Sequence, residues 1–132
     1  MNRFKIRVYD RKSELYLTNS NLLDININEL SSDGIEIEQC TGRTDIYNNL
    51  IFEGDLVALY TTIEGKEYKG LYEGKEYAGI VRFGLYNESN LGFFIEWPEK
   101  VKGIYKEAFY WDKGFKIVGN VHNKSDIDRW NI

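Results

Sequence analysis

Apolar and polar residues alternate one for one in short runs, and turn residues cut the runs about every ten positions. A period of two sends successive side chains to opposite faces of a strand, so such a chain folds as sheet. Phe4, Ile6 and Val8 alternate with Lys5, Arg7 and Tyr9. Asp10 to Ser13 is polar and turn-like, and Leu15 and Leu17 then alternate with Tyr16 and Thr18 as the return strand of a hairpin. Leu23, Ile25 and Ile27 alternate with Asp24 and Asn26. Asn and β-branched Ile are poor helix formers, so strand or irregular structure is expected there. Ser31 to Gly34 makes a turn, and Ile35 and Ile37 alternate with Glu36 and Glu38 in a strand that runs into Cys40.

The middle of the chain reads differently. Thr41 to Asn49 has no apolar period and is expected to be a structured loop. Leu50 to Phe52 is a brief apolar run, Glu53-Gly54-Asp55 a turn, and Leu56 to Ile63 a strand apolar enough to be buried on both faces. Glu64-Gly65-Lys66-Glu67-Tyr68 then returns as Glu73-Gly74-Lys75-Glu76-Tyr77. This repeat is too short for a solenoid unit. It is expected to mark two tight turns with Gly at positive φ. Ile80 to Phe83 is a strand, Gly84 to Asn90 a polar hairpin loop, and Leu91 to Trp97 the return strand, which Pro98 ends because proline lacks a ladder donor. A further strand is expected within Val101 to Tyr110 and a last one at Phe115 to Val118. Ser125-Asp126-Ile127-Asp128 has the Ser-x-x-acid form of a helix start. A short helix over Asp126 to Trp130 follows, with Trp130 docking it onto the sheet.

Composition narrows the function classes. The 132 residues suffice for one domain and one hydrophobic core. Ten Tyr, seven Phe and three Trp favour a pleated surface. A formal net charge of -4 disfavours general duplex binding. The Lys-bearing stretch Glu99 to Lys106 reads as a solvated strand face. One cysteine, Cys40, makes an internal disulfide impossible, which fits a reducing cytoplasm. No run of apolar residues is long enough to span a bilayer and nothing resembles a signal peptide, so a cytoplasmic protein without membrane contact is expected.

Few residues are able to carry chemistry. His122 is the single histidine and Cys40 the single thiol, so a Ser-His or Cys-His pair would have to use them. A structural zinc site needs more Cys and His than one chain holds. No phosphate-binding glycine loop is present. Asp45, Glu53 and Asp55 lie in one run, and Glu96 would have to join them in space to hold a hard cation. The structural alternative is preferred: Asp45 and Asp55 accept backbone amides and hold the turns. No catalytic residue, metal or cofactor is assigned. Tyr105, Phe109, Tyr110, Trp111 and Phe115 form the densest aromatic cluster. Packing is its first reading. A protein contact surface through Tyr105, Phe109, Tyr110 and Trp111 comes next, and stacking of single-stranded bases, aided by Lys100, Lys102, Lys106 and Lys113, last.

Three segments in order resemble the YopX family of phage and prophage proteins. Phe4-Lys5-Ile6-Arg7-Val8-Tyr9-Asp10 is similar to the family's Phe-Arg-aromatic-Asp opening. The run from Thr41-Gly42-Arg43-Thr44-Asp45 through Asn48 to Ile51-Phe52-Glu53-Gly54-Asp55-Leu56-Val57 resembles its central motif, with Asn48 where a turn Gly is usual. Ile117-Val118-Gly119-Asn120-Val121-His122 is similar to its closing segment. Gly79-Ile80-Val81-Arg82-Phe83 and Phe94-Ile95-Glu96-Trp97 sit where members carry a hairpin ending in an aromatic. The resemblance makes Thr41, Gly42, Asp45, Glu53, Gly54, Asp55, Gly119 and Asn120 the structural motif. It implies a mainly-β fold with a small barrel and self-association, but no reaction.

The expected fold is a mainly-β, small, partly open antiparallel barrel with an N-terminal strand region and a short C-terminal helix. It forms one YopX-like domain over 1–132: an N-terminal strand region over 1–40, the barrel over 41–122 and a helical tail over 123–132. The expected function is that of a non-enzymatic phage accessory protein in the host cytoplasm. It acts by self-assembly as a homo-oligomer and by contact with a host or phage protein. Binding of single-stranded nucleic acid is the alternative.

Overall fold

The computed structural model describes residues 6–17, 34–72, 74–86, 90–98, 106–108 and 114–132. The protein is mainly β, with antiparallel strands, a curled half-barrel and one short C-terminal helix. It divides into two compact units, Met1–Cys40 and Thr41–Ile132. The stretch containing Leu23, Ile25 and Ile27 lies outside the described residues, as does Phe4.

In the first unit, β1 (Ile6–Asp10) pairs with β2 (Leu15–Tyr16) and with the start of β3 (Ile35–Thr44), both antiparallel. The intervening turn forms because Asp10 accepts the Lys12 amide (3.0 Å) and the Ser13 hydroxyl (3.0 Å). Which faces are buried departs from the simple alternation. Leu15 and Ile37 are exposed, whereas Tyr9 and Glu38 are buried with Val8. The reason is a polar cluster. Glu38 Oε1 accepts from Arg7 Nε (3.1 Å) and from the Tyr16 hydroxyl (2.8 Å), and Arg7 also lies 4.6 Å from the Tyr16 ring centroid. A buried carboxylate persists only when so satisfied. Tyr16 completes the cluster by packing edge-on against Tyr9, and burial, with four carboxylates nearby, raises the Tyr9 phenol above its usual pKa.

β3 also corrects the expected loop, because it runs through Thr44 and not only to Cys40. Its neighbour is β4 (Leu50–Phe52). The Thr41 hydroxyl donates to the Ile51 carbonyl at 2.8 Å, so ladder and side chain together hold a segment without apolar period.

The second unit centres on a sheet of order β11-β10-β9-β5-β12, with β6 pairing on β5. Its strands are β5 (Asp55–Ile63), β6 (Lys66–Lys69), β9 (Gly79–Tyr86), β10 (Asn90–Glu96), β11 (Lys106–Ala108) and β12 (Phe115–Asn120). β7 (Leu71–Tyr72) and β8 (Lys75–Glu76) form a separate small hairpin. Leu56, Val57 and Ala58 are fully buried, so the first part of β5 is covered on both faces; the expectation for Leu56 to Ile63 fails beyond Tyr60, because Thr61, Thr62 and Ile63 are exposed. One side joins Val57 to Ile51, Val81, Ile95, Trp97 and Phe115. The other joins Leu56 to Ala78 and Ile80, with Val118, Val121 and Trp130 packed against them. Each fully buried Val, Leu or Ile among them contributes about 1.5–3 kcal/mol. Both copies of the Glu-Gly-Lys-Glu-Tyr repeat bend as expected, with Gly65 at φ 78 and Gly74 at φ 77.

The helix, α1 (Lys124–Trp130), starts one residue before its expected cap. Asn123, not Ser125, is the N-cap, and its side chain accepts the amides of Ser125 (2.9 Å) and Asp126 (3.3 Å). Trp130 docks on the sheet and donates from Nε1 to the Val118 carbonyl at 3.4 Å.

Candidate interaction surface

The motif residues converge on turns, and the carboxylates of Asp45 and Asp55 are occupied by the backbone. Asp45 is 5% exposed. Its Oδ1 accepts the amides of Tyr47 and Asn49, both at 2.9 Å, and its Oδ2 accepts the Ile117 amide at 3.3 Å. Asn48, in the same turn, takes φ 65 in place of a glycine. Asp55 accepts the Phe52 amide at 2.8 Å through Oδ2 and lies 3.5 Å from Asn120 Nδ2 through Oδ1. Between Glu53 and Asp55, Gly54 donates to Val81 (2.8 Å) and accepts from Val121 (3.0 Å). Thr41 accepts the Arg43 amide, and Gly42 between them has φ 79. Gly119 lies where β12 bulges against β5. A Cβ there would sit 2.6 Å from Asp126, whose carboxylate takes the Asn120 amide. Gly119 thus lets the helix approach the sheet.

Glu96 pairs with Arg82 at 3.5 Å. Among the described residues, no group of three or more His, Cys, Asp or Glu is placed to hold a metal ion. His122 donates its amide to Asn120 Oδ1, and Cys40 is a half-buried thiol in β3. Tyr105, Phe109, Tyr110 and Trp111, the expected contact surface, lie outside the described residues, as do Lys100, Lys102 and Lys113.

A different surface emerges on the β9–β10 ladder. The sequence suggests a polar loop from Gly84 to Asn90, but β9 continues to Tyr86 and β10 begins at Asn90. The register pairs Val81 with Ile95, Phe83 with Phe93 and Leu85 with Leu91. Directly opposed residues share a face, so these six form one apolar stripe. It begins in the core, where Val81 and Ile95 are fully buried, and runs outward to Leu85 (64% exposed) and Leu91 (69%). Phe83 and Phe93 pack edge to face between the two ends, their centroids 4.9 Å apart. On the opposite face Gly84 faces Gly92, and the rings of Tyr86 and Phe94 meet at 5.2 Å beside them. The signal was present in the sequence, since Phe83-Gly84-Leu85 and Leu91-Gly92-Phe93 keep the period of two. Leu91 to Trp97 reads as a strand accordingly, and only Gly84 to Tyr86 and Asn90 are hidden in the expected loop.

Among the described residues no helix is long and apolar enough to cross a membrane. No family model matches the chain, and no solved structure matches it. Over 85 residues it is 25% identical to the LPS-assembly protein LptD of Vibrio vulnificus strains YJ016 and CMCP6, a match that covers 61% of this chain. The chain spans 11% of the length of these curated relatives, so the likeness assigns neither family nor activity.

Proposed function

We propose that this chain is a non-enzymatic accessory protein of the YopX type, from a phage or prophage and active in the host cytoplasm, that works by self-assembly and protein contact. The observation that carries the reading is the apolar stripe of β9 and β10, which leaves the core and reaches solvent at Leu85 and Leu91. Exposed apolar residues scattered singly are ordinary, but a contiguous set rimmed by polar residues is a contact surface. Arg82 and Glu96 lie on the other face of the ladder and leave the stripe uncharged. A stripe of this form is self-complementary under a two-fold axis, so the simplest assembly is an isologous dimer. The buried motif carboxylates fit the same reading, because backbone amides hold them.

Light scattering coupled to size exclusion tests this. The wild type elutes as a defined oligomer whose population rises with concentration, and Leu85→Lys with Leu91→Lys yields a folded monomer. A wild type that stays monomeric at every concentration, with no co-eluting protein, sinks the reading.

A further inference from the structure

A second surface, with opposite chemistry, lies on the other side of the same unit. The register of β5 with β6 places Tyr60 opposite Lys69 and Thr62 opposite Glu67, so Tyr60, Glu67 and Lys69 share one face. Lys116 of β12 stands opposite Ala58, two residues before Tyr60, and so joins that face. With Glu76 of β8 and Arg129 of α1 these side chains line a cavity of about 320 Å³. This is the lower end of the size range of small-molecule sites.

The charges inside are unevenly matched. Glu76 is fully engaged: Oε1 accepts the Tyr60 hydroxyl at 2.7 Å and Oε2 pairs with Lys69 at 3.4 Å. Glu67 accepts the Tyr47 hydroxyl and reaches Lys116 only at 4.0 Å, the outer limit of an ion pair. The Lys116 ammonium is held instead between two rings, 4.9 Å from the Tyr60 centroid and 5.6 Å from that of Tyr47. Arg129 pairs with no carboxylate among the described residues; its guanidinium lies 5.1 Å from the Trp130 ring. Three cations therefore face two carboxylates in one concavity, on a chain whose net charge is -4.

From this geometry we infer that the cavity binds a small oxyanion, the carboxylate or phosphate group of a polar metabolite, between Arg129 and Lys116. Arg129 presents the planar fork that engages two oxygens at once, and Lys116 supplies a point charge already fixed by the rings. Glu67 limits affinity, because it shares Lys116 with the ligand.

Inorganic phosphate and acetate, each titrated into the ¹⁵N-labelled protein at constant ionic strength, test the site. Saturable shifts of the Trp130 indole and the Lys116 amide are expected with at least one of them, and the tighter of the two assigns the anion class. Arg129→Gln weakens that binding by about 10-fold, the loss expected of one charge-assisted contact. Glu67→Gln strengthens it by about 3-fold, because it removes a competing charge but keeps an acceptor for Tyr47. Effects of opposite sign cannot come from general unfolding. No saturable shift with either anion, or unchanged affinity in Arg129→Gln, overturns the assignment.

Discussion

Two hairpin arms leave the core of the second unit, and they are written in different chemistry. β5 and β9 pair only through Leu56–Ile80 and Val57–Gly79, and they run antiparallel, so beyond that point they diverge in opposite directions. One continues with β6 as an arm of cross-strand pairs such as Tyr60–Lys69 and Thr62–Glu67. The other continues with β10 as an arm of Phe83–Phe93 and Leu85–Leu91. Both arms expose their tips, but the first mixes Ile63 and Tyr68 with Thr62, Glu67 and Lys69, whereas the second exposes the uninterrupted apolar set Phe83, Leu85 and Leu91. Strand geometry alone thus does not decide what an arm does. The mixed arm lines a concave site through Tyr60, Glu67 and Lys69, whereas the apolar arm presents a contiguous stripe that gains by being covered.

The comparison can be broken first at the root. Ile95→Ala removes a fully buried side chain from the core shared by both arms and lowers stability by about 2–5 kcal/mol, measured by urea denaturation. Loss of less than about 0.5 kcal/mol, the range of ordinary surface substitutions, means that the stripe has no buried end. Asp45→Ala comes next. It strips an acceptor from three amides, one of them on β12, and costs about 1–3 kcal/mol in the same assay.

A pH titration sharpens the comparison at the mixed arm. Burial, helped by the hydrogen bond to Glu76, pushes the Tyr60 phenol up to about 12 from an ordinary value of 10.0. The folded state holds that proton more tightly than the unfolded one. Its contribution is therefore complete below pH 10 and is lost as pH rises towards 12. Tyr60→Phe abolishes that part of the alkaline loss of stability; an unchanged profile between pH 10 and 12 shows that other groups govern it. The smallest effect on stability falls at the apolar tip. Leu85→Lys changes it by less than about 0.5 kcal/mol while removing self-association, and a large loss of stability marks the tip as core rather than contact surface.

How legible these regions were in the sequence depended on what held them. Where burial selects the residues, as in Leu56-Val57-Ala58, the reading was direct. The repeated Glu-Gly-Lys-Glu-Tyr turns were also direct, because glycine at positive φ leaves a local mark. The faces of β1 to β3 were not, since the Arg7–Glu38–Tyr16 cluster buries polar groups and leaves Ile37 and Leu15 outside. Thr41 to Thr44 hid its strand for the same reason: its partner is a carbonyl on β4 rather than an apolar neighbour. The Asn123 cap was not legible, because Ser125 also has the form of a helix start and only the backbone distinguishes the two. The cavity was invisible. Tyr60 and Lys116 are far apart in sequence, and strand registers together with the docking of α1 on β12 bring them to Arg129.

The bond from the Ile117 amide to Asp45 spans 72 residues. It also ties a local turn to a strand made much later in synthesis. The turn at Asp45 can close its two local amides early, but it keeps one carboxylate oxygen free until β12 arrives. β12 is the last strand among the described residues and pairs with β5. Such distant contacts are slow to form, since chain closure must precede any gain from them. Phe115 of β12 packs in the core with Ile51 and Val57, so a chain growing on the ribosome completes this core only after Phe115 to Asn120 has been synthesised.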